Sequence, residues 1–264
     1  MPHLPWYAWA LGALAAYAAV SFVLDLACRT LFAGRRIGGA KRAAVQLPRF
    51  KVAALFVINT LQVGLALALA DHLHASGVGG LHVQEFASPL SLLLVAAQVL
   101  VVLFVFDTNF YWFHRLGHRY RKLFALLHAE HHRPRYPTVW HLQYQHPLDY
   151  FATTAAPLAW IALLPLSTQG YLVAVTIAAF LNIAGHAGYE VSNTMIGLPT
   201  PNGWAARLDP LRRGVARLFN NVLHHDLHHQ KCRDNYSLYF TFWDRLGGTF
   251  NAETDRVEAY VRAR

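Results

Sequence analysis

PLSLLLVAAQVLVVLFVF, residues 89–106, decides the fold. It carries no charge and comes close to the roughly 20 apolar residues that a helix needs to cross a hydrocarbon core. Upstream, Trp6 to Leu26 and Val52 to Ala70 are of similar length and almost uncharged. Backbone in lipid has to satisfy its own hydrogen bonds, so these windows read as spanning helices. Residues 150–181 are equally apolar but broken by Pro157, Pro165, Ser167 and Gly170, which marks two shorter helices joined by a turn, open to a re-entrant hairpin. No run alternates with a period of two, so the expected class is all-α. The expected architecture is an integral membrane helical bundle of about three spanning helices plus the apolar helical hairpin. Residues 1–113 form the transmembrane part, and residues 114–264 form a cytoplasmic histidine-rich helical cap that includes the hairpin. A composition of 55% hydrophobic and 14% charged residues is far from soluble usage and agrees with this.

The cations set an orientation. Arg29, Arg35, Arg36, Lys41, Arg42, Arg49 and Lys51 lie between the first two windows, whereas Asp71 to Ser88 has neither Lys nor Arg. The positive-inside rule therefore makes the first loop cytoplasmic, turns the N-terminus outward and brings the chain back to the cytoplasm near Phe113. Met1 to Pro5 lacks the basic stretch of a signal peptide. The net charge of +9 is concentrated in the cytoplasmic segments, where it suits anionic lipid headgroups or an acidic electron donor. No nucleic-acid recognition motif is present. Cys28 and Cys232 are too widely separated to suggest a disulfide framework. Pro199, Pro201, Asn202 and Gly203 mark a loop, and Asp209-Pro210 opens another helix.

Directly after the third window comes HRLGHRYRKLFALLHAEHH, residues 114–132. Of the sixteen histidines, His3, His72, His74 and His82 are scattered through outward segments, while the rest lie on the cytoplasmic side. Three groups have helical spacing: His114 with His118, His128 with His131 and His132, and His225 with His228 and His229. Offsets of three and four residues share a helix face, and convergent neutral imidazoles are the commonest nitrogen donors for a metal ion. One straight helix would hold His118 and His128 roughly 15 Å apart, so the chain has to bend, and the break is placed near Arg119 to Lys122. Eight imidazoles exceed the three or four that one zinc uses, which points to two ions. His186 is a ninth candidate, on the returning arm of the hairpin. His141, His146 and His224 read as hydrogen-bonding neighbours of the site or as solvated residues. Asp107, Glu190, Asp226 and Asp244 are candidates for the carboxylates that orient metal-bound imidazoles. Phe110, Tyr111, Trp112 and Trp140 are either interface anchors or walls of a pocket for the target carbon.

Imidazole accepts zinc, copper, nickel and iron, so spacing alone does not choose the metal. The zinc-protease motif HExxH is absent, since HAEHH places its acid differently. A haem with paired axial histidines, a metal-ion transporter and a non-catalytic metal-binding membrane protein all remain open at this level.

DTNFYWFHRLGH, HAEHH, QHPLD, HAGYE, HHDLHH and NYSLYFTFWDRLGGT occur in that order from Asp107 to Thr249. In order and spacing the chain resembles the fatty acid hydroxylase and sterol desaturase superfamily of integral membrane non-haem di-iron oxygenases. The resemblance implies iron-ligand roles for His114, His118, His128, His131, His132, His225, His228 and His229, and HAGYE supports His186. It implies two iron ions, O2 as co-substrate, a lipid that is hydroxylated or desaturated, and electrons from a separate ferredoxin or cytochrome. It also implies a membrane location, with a bacterial cytoplasmic membrane as the expectation. The family often has HPxE, NYG and FGT where this chain has His146 to Asp149, Asn235-Tyr236-Ser237 and Gly247-Gly248-Thr249. None of these departures touches an implied ligand.

Overall fold

The computed structural model describes residues 4–38, 47–84, 88–191 and 217–262. Lys41, Arg42, the loop at Pro199 to Gly203 and the Asp209-Pro210 helix start lie outside the described residues. Helices α1 (Trp6–Thr30), α2 (Arg49–Ala75) and α3 (Pro89–Arg119) contain the three apolar windows. Each window lengthens by a turn or more into polar sequence. α3 starts with Pro89 in its first turn, where a missing N–H costs nothing, and runs without interruption through Asp107, His114 and His118.

The broken apolar stretch is the expected hairpin. Its first arm is α5 (Pro147–Tyr150), a π-helical turn at Phe151–Ala155, and α6 (Ala156–Ile161). Its second arm is α7 (Thr168–Gly185), capped by Ser167, whose hydroxyl accepts from the Gly170 N–H at 3.0 Å. Pro157 lies inside a continuous helical run, directly after the wide π-helical turn that makes room for its ring and missing N–H. α7 is also long and apolar enough to cross a membrane, giving four such helices among the described residues. The hairpin tip reaches the α2–α3 connection: Gly80 N–H donates to Ala162 O at 3.2 Å, His82 N–H to Leu166 O at 3.0 Å, and Thr168 N–H to His82 O at 2.8 Å. Both arms therefore run the length of the bundle.

Among the described residues there is no strand, only isolated bridges such as Arg36 with Tyr189. The protein is an all-α membrane helical bundle, with large apolar side chains such as Phe22, Leu65, Leu93 and Leu100 turned outward. α1 and α2 pack most closely at Gly64, where a Cβ would lie 2.4 Å from Ala10 Cα. Polar side chains inside the bundle act as ties. Asn59, fully buried on α2, donates to Gln143 O at 2.8 Å and Gln145 O at 3.0 Å, and Gln62 donates to Pro147 O at 3.2 Å. On α3, Gln98 Oε1 accepts from the Ser167 N–H and hydroxyl at 3.0 and 2.6 Å. These ties fix the start of the hairpin to α2 and its tip to α3.

The polar C-terminal part adds α8 (Val222–Lys231), α9 (Phe242–Leu246) and α10 (Val257–Arg262). It closes over the ends of α3 and α7 that lie opposite the hairpin tip.

Candidate metal centre

α3 stops at Arg119 because Tyr120 is extended, with φ −104° and ψ 108°. This is the break that the histidine spacing demands. A short turn, α4 (Arg121–Leu123), then runs into a π-helical turn over Phe124–His128. The wide turn ends at His128, and His131 and His132 follow in irregular turns rather than on a helix, a difference from the expected single face. α8 carries the third group and starts at Asn221, whose side chain accepts from His224 N–H at 2.8 Å. It ends at Cys232, whose left-handed backbone (φ 59°) lets its N–H cap His228 O at 2.7 Å.

The eight histidines singled out by spacing, together with His186, form two sets. His114, His118, His128, His132 and His228 make one; His131, His186, His225 and His229 make the other; within each set, one nitrogen per ring lies within 4.8 Å of the others. The sequence groups do not map one to one onto the sets. In HAEHH the i, i+4 pair serves the five-membered set and the middle residue the other. In HHDLHH the pair His225 and His229 serves the four-membered set while His228 crosses over. The sets abut, with the His132 and His229 rings 4.8 Å apart.

In four of the rings hydrogen bonds fix which nitrogen faces inward. A carbonyl can only accept, so His114 Nδ1 donates to Tyr236 O at 2.8 Å, His228 Nδ1 to Asp234 O at 2.7 Å and His186 Nδ1 to Asn182 O at 2.9 Å. His128 Nδ1 bonds Asp149 Oδ2 at 2.7 Å. In the neutral rings the Nε2 atoms then carry bare lone pairs. Yet His132 Nε2 lies 3.1 Å from Nε2 of both His118 and His128 and 3.2 Å from that of His228. In the second set His225 Nε2 lies 2.9 Å from His186 Nε2 and 3.1 Å from His229 Nε2. His114 Nε2 is buried with no partner among the described residues. Ring nitrogens packed this closely, with those of His114, His128, His186 and His228 bare, are best accommodated by a cation among them, so the donor set fits metal ions.

Electrostatics agree. Burial, reinforced by the neighbouring imidazoles, holds His131, His132, His225, His228 and His229 well below the ordinary histidine range. Burial lowers His186 to about 4, against the opposing pull of the Asn182 carbonyl. Neutral imidazole is the form a metal binds.

The carboxylates need correction. Asp107 bonds no imidazole: it accepts from the backbone N–H groups of Leu238 at 2.6 Å, Tyr239 at 3.0 Å and Phe240 at 3.3 Å. Seven residues along α3 is roughly 10 Å, so a shared face with His114 does not bring the two into contact. Asp244 does bond a histidine, but it is His224 Nε2 at 3.1 Å, which belongs to neither set. Glu190 Oε2 accepts from Leu223 N–H at 3.1 Å, placing a carboxylate at the start of α8. Asp226 accepts from Gln230 at 2.7 Å. His224 is fully buried rather than solvated. His141 and His146 accept backbone N–H bonds in local caps, from Thr138 at 3.1 Å and Leu148 at 3.2 Å, and join neither set.

The carboxylate that does orient a clustered imidazole is Asp149, which spacing arguments passed over. Its only sequence signal was its place in QHPLD. Cys232 was missed as well; its Sγ lies 3.3 Å from His132 Nδ1. Phe110 lines a narrow cavity with Gln145, Thr153, Thr154 and Asn182, onto which His128, His131, His186 and His225 open. A second cleft, apolar and lined by Tyr17, Phe106, Leu158, Val175 and Tyr239, shares Thr154 and Asn182 with it. Tyr111 and Trp112 pack instead against Trp243, and Trp140 packs against Phe56.

The chain is 32% identical over 177 residues to a sphingolipid C4-hydroxylase of Schizosaccharomyces pombe, covering 64% of this chain and 54% of that protein. It is 30% identical over 203 residues to a lathosterol oxidase of Homo sapiens, covering 76% and 59%. It is 29% identical over 163 residues to a cholesterol 25-hydroxylase of Rattus norvegicus, covering 62% and 49%. The chain thus spans about half the length of these curated relatives. No solved structure matches. The profile of the fatty acid hydroxylase family matches residues 99–249, the region that contains all nine histidines. The chain belongs to the fatty acid hydroxylase family.

Proposed function

We propose that the protein is a membrane oxygenase that hydroxylates or desaturates a lipid, with O2 as co-substrate, at a centre of two iron ions held by the nine histidines. The observation that carries this reading is the pair of interlocked sets of inward ring nitrogens, gathered at the ends of α3 and α7 in a lipid-facing bundle. His114, His118, His128, His132 and His228 hold one ion, and His131, His186, His225 and His229 the other. When bound, the irons supply the oxidation of an unactivated C–H bond, chemistry that no side chain can perform alone.

The chain's own residues position and protect. Carbonyls of Tyr236, Asp234 and Asn182 and the carboxylate of Asp149 fix the imidazole tautomers before any metal arrives, so little reorganisation is needed on binding. Apolar side chains of α1, α3, α6 and α7 line a closed cleft beside the cluster, which takes a lipid chain only once these helices part. Thr154 and Asn182, common to both cavities, mark the passage from that cleft to the histidines. A transporter has less support, because the histidines gather at the ends of α3 and α7 rather than at mid-bundle.

Residues 1–113 serve as the membrane part and residues 114–264 as the catalytic part. The N-terminus faces outward and the centre lies on the cytoplasmic side of a bacterial membrane. A ferredoxin or cytochrome donor supplies electrons, and anionic headgroups hold the basic loops. The test is twofold. Purified protein should contain two tightly held irons per chain, and cells making it should contain lipids heavier by one oxygen or lighter by two hydrogens. His131→Ala should abolish this conversion and lower the metal content while the protein still inserts. Weakly held zinc and an unchanged lipid profile would overturn the proposal.

A further inference from the structure

We propose that Tyr236, Tyr111, Trp243 and Trp112 form a redox relay that drains an oxidising equivalent from the histidine cluster to the surface when no lipid is present to consume it. The proposal rests on the redox-metal reading above.

The four rings are all of oxidisable types and follow one another without a gap. Tyr236 lies 5.2 Å from the His118 ring, 5.4 Å from His228 and 5.7 Å from His114. Tyr111 is 6.4 Å from Tyr236 and stacks on Trp243 at 5.9 Å, with the planes 21° apart. Trp243 is 5.7 Å from Trp112, which is 51% exposed. The chain therefore begins against three rings of the five-histidine set and ends at the molecular surface.

Oxidising a tyrosine requires somewhere for its proton to go, and only Tyr111 has a built path. Arg115 Nη1 donates to its phenol oxygen at 2.7 Å, so the phenol's own proton faces Thr249 Oγ1 at 3.2 Å. Thr249 in turn donates to Asp244 Oδ1 at 2.7 Å. Asp244 is kept anionic: burial pushes its carboxyl up, but His224, Ser237 and Thr249 together hold it below the ordinary range. Gly247 makes the arrangement possible. A Cβ there would lie 2.0 Å from the Tyr111 oxygen and 2.6 Å from Arg115 Nη1.

The step balances as follows. Tyr111 gives one electron through Tyr236 to the oxidised centre. Its O–H breaks, the proton passes to Thr249, and the Thr249 proton passes to Asp244. A phenol that has lost an electron is a strong acid, so even this carboxylate accepts. Trp243 and then Trp112 return an electron to Tyr111, which regains its proton from Asp244. A soluble one-electron reductant of the ascorbate class restores Trp112.

Flash oxidation of the full-length protein as purified, in nanodiscs with a ruthenium polypyridyl sensitiser and persulfate, tests the relay without depending on the metal. Wild type should show a tryptophanyl absorbance that converts to a tyrosyl one, with the tyrosyl radical seen by EPR on freezing. Tyr111→Phe should lose most of the tyrosyl yield and lengthen the tryptophanyl lifetime, and Thr249→Val should slow the conversion severalfold. Equal tyrosyl yields in wild type and Tyr111→Phe would overturn the relay. Trp112 also meets the Tyr111 ring directly at 5.3 Å, so if Tyr111→Phe does not fold the double variant Trp112→Phe/Trp243→Phe decides the matter, because it removes both paths from the surface and should cut the same yield. A second arm incubates iron-loaded protein with donor and O2 but no lipid and counts oxidised histidines by mass spectrometry. A severalfold rise in the double variant Trp112→Phe/Trp243→Phe supports drainage from the cluster, and no rise refutes it. Protein that holds no iron would sink the oxygenase reading while leaving the flash result to stand or fall by itself.

Discussion

Single residues divide into those that touch the histidines and those that hold the frame. Asp149 bonds His128 and so shapes one donor of the five-membered set. Asp149→Asn should lower metal affinity by roughly 10–100-fold, read by competition with a chelator. Affinity equal to wild type would leave Asp149 as no more than a helix-start acid. Asp107 behaves otherwise, because its three bonds pin residues 238–240 against α3. Asp107→Asn should cost about 1.5–3 kcal/mol, seen as a lower melting temperature, with the metal content of the folded fraction unchanged. A selective loss of metal would contradict this assignment. The contrast shows where sequence reasoning stops. Spacing along α3 identified Asp107 as sharing a side with His114, but the identity of its partner depends on a loop more than a hundred residues away.

Among the elements, two local choices bring the cluster together. The extended Tyr120 ends α3, and the π-helical turn ending at His128 folds the next segment back beneath it. The need for that bend was legible, since His118 and His128 cannot meet on one helix. The π-helical widening was not, because FALLH, residues 124–128, has ordinary helix-forming composition. The bundle itself depends on close approach of α1 and α2. Gly64→Val would press a branched side chain into the Ala10 backbone. It should cost about 1–3 kcal/mol through overpacking, measured as a fall in detergent melting temperature. An unchanged melt would mean that α1 can shift without cost.

For the molecule as a whole, a metal held by the histidine cluster would couple its binding to folding. Of the nine clustered imidazoles eight are buried, and bare lone pairs that oppose one another there repel, so a metal-loaded form would be favoured by its binding free energy. Stripping with a strong chelator should lower the melting temperature by several degrees or more and increase protease cleavage between residues 119 and 135. Restoring Fe(II) should reverse both effects. A melt indifferent to chelation would show that the cluster is held by packing alone. The same coupling explains why α8 is polar yet wholly buried over Val222 to His229: its histidines face the donor sets while Asn221, Glu190 and Asn235 satisfy its backbone.

By itself the sequence determined the spanning helices, the hairpin, the nine histidines and the need for a bend. Apolar length and histidine spacing are local properties, and lipid leaves a helix as the only solution for such windows. Only the tertiary structure decided how the histidines divide between two sets, that Asp149 rather than Asp107 orients a ring, and that four aromatic rings line up towards the surface. Each of these depends on where a side chain meets a partner from a distant segment. That meeting is set by the packing of α3, α7, α8 and the hairpin together, which no single stretch of sequence encodes.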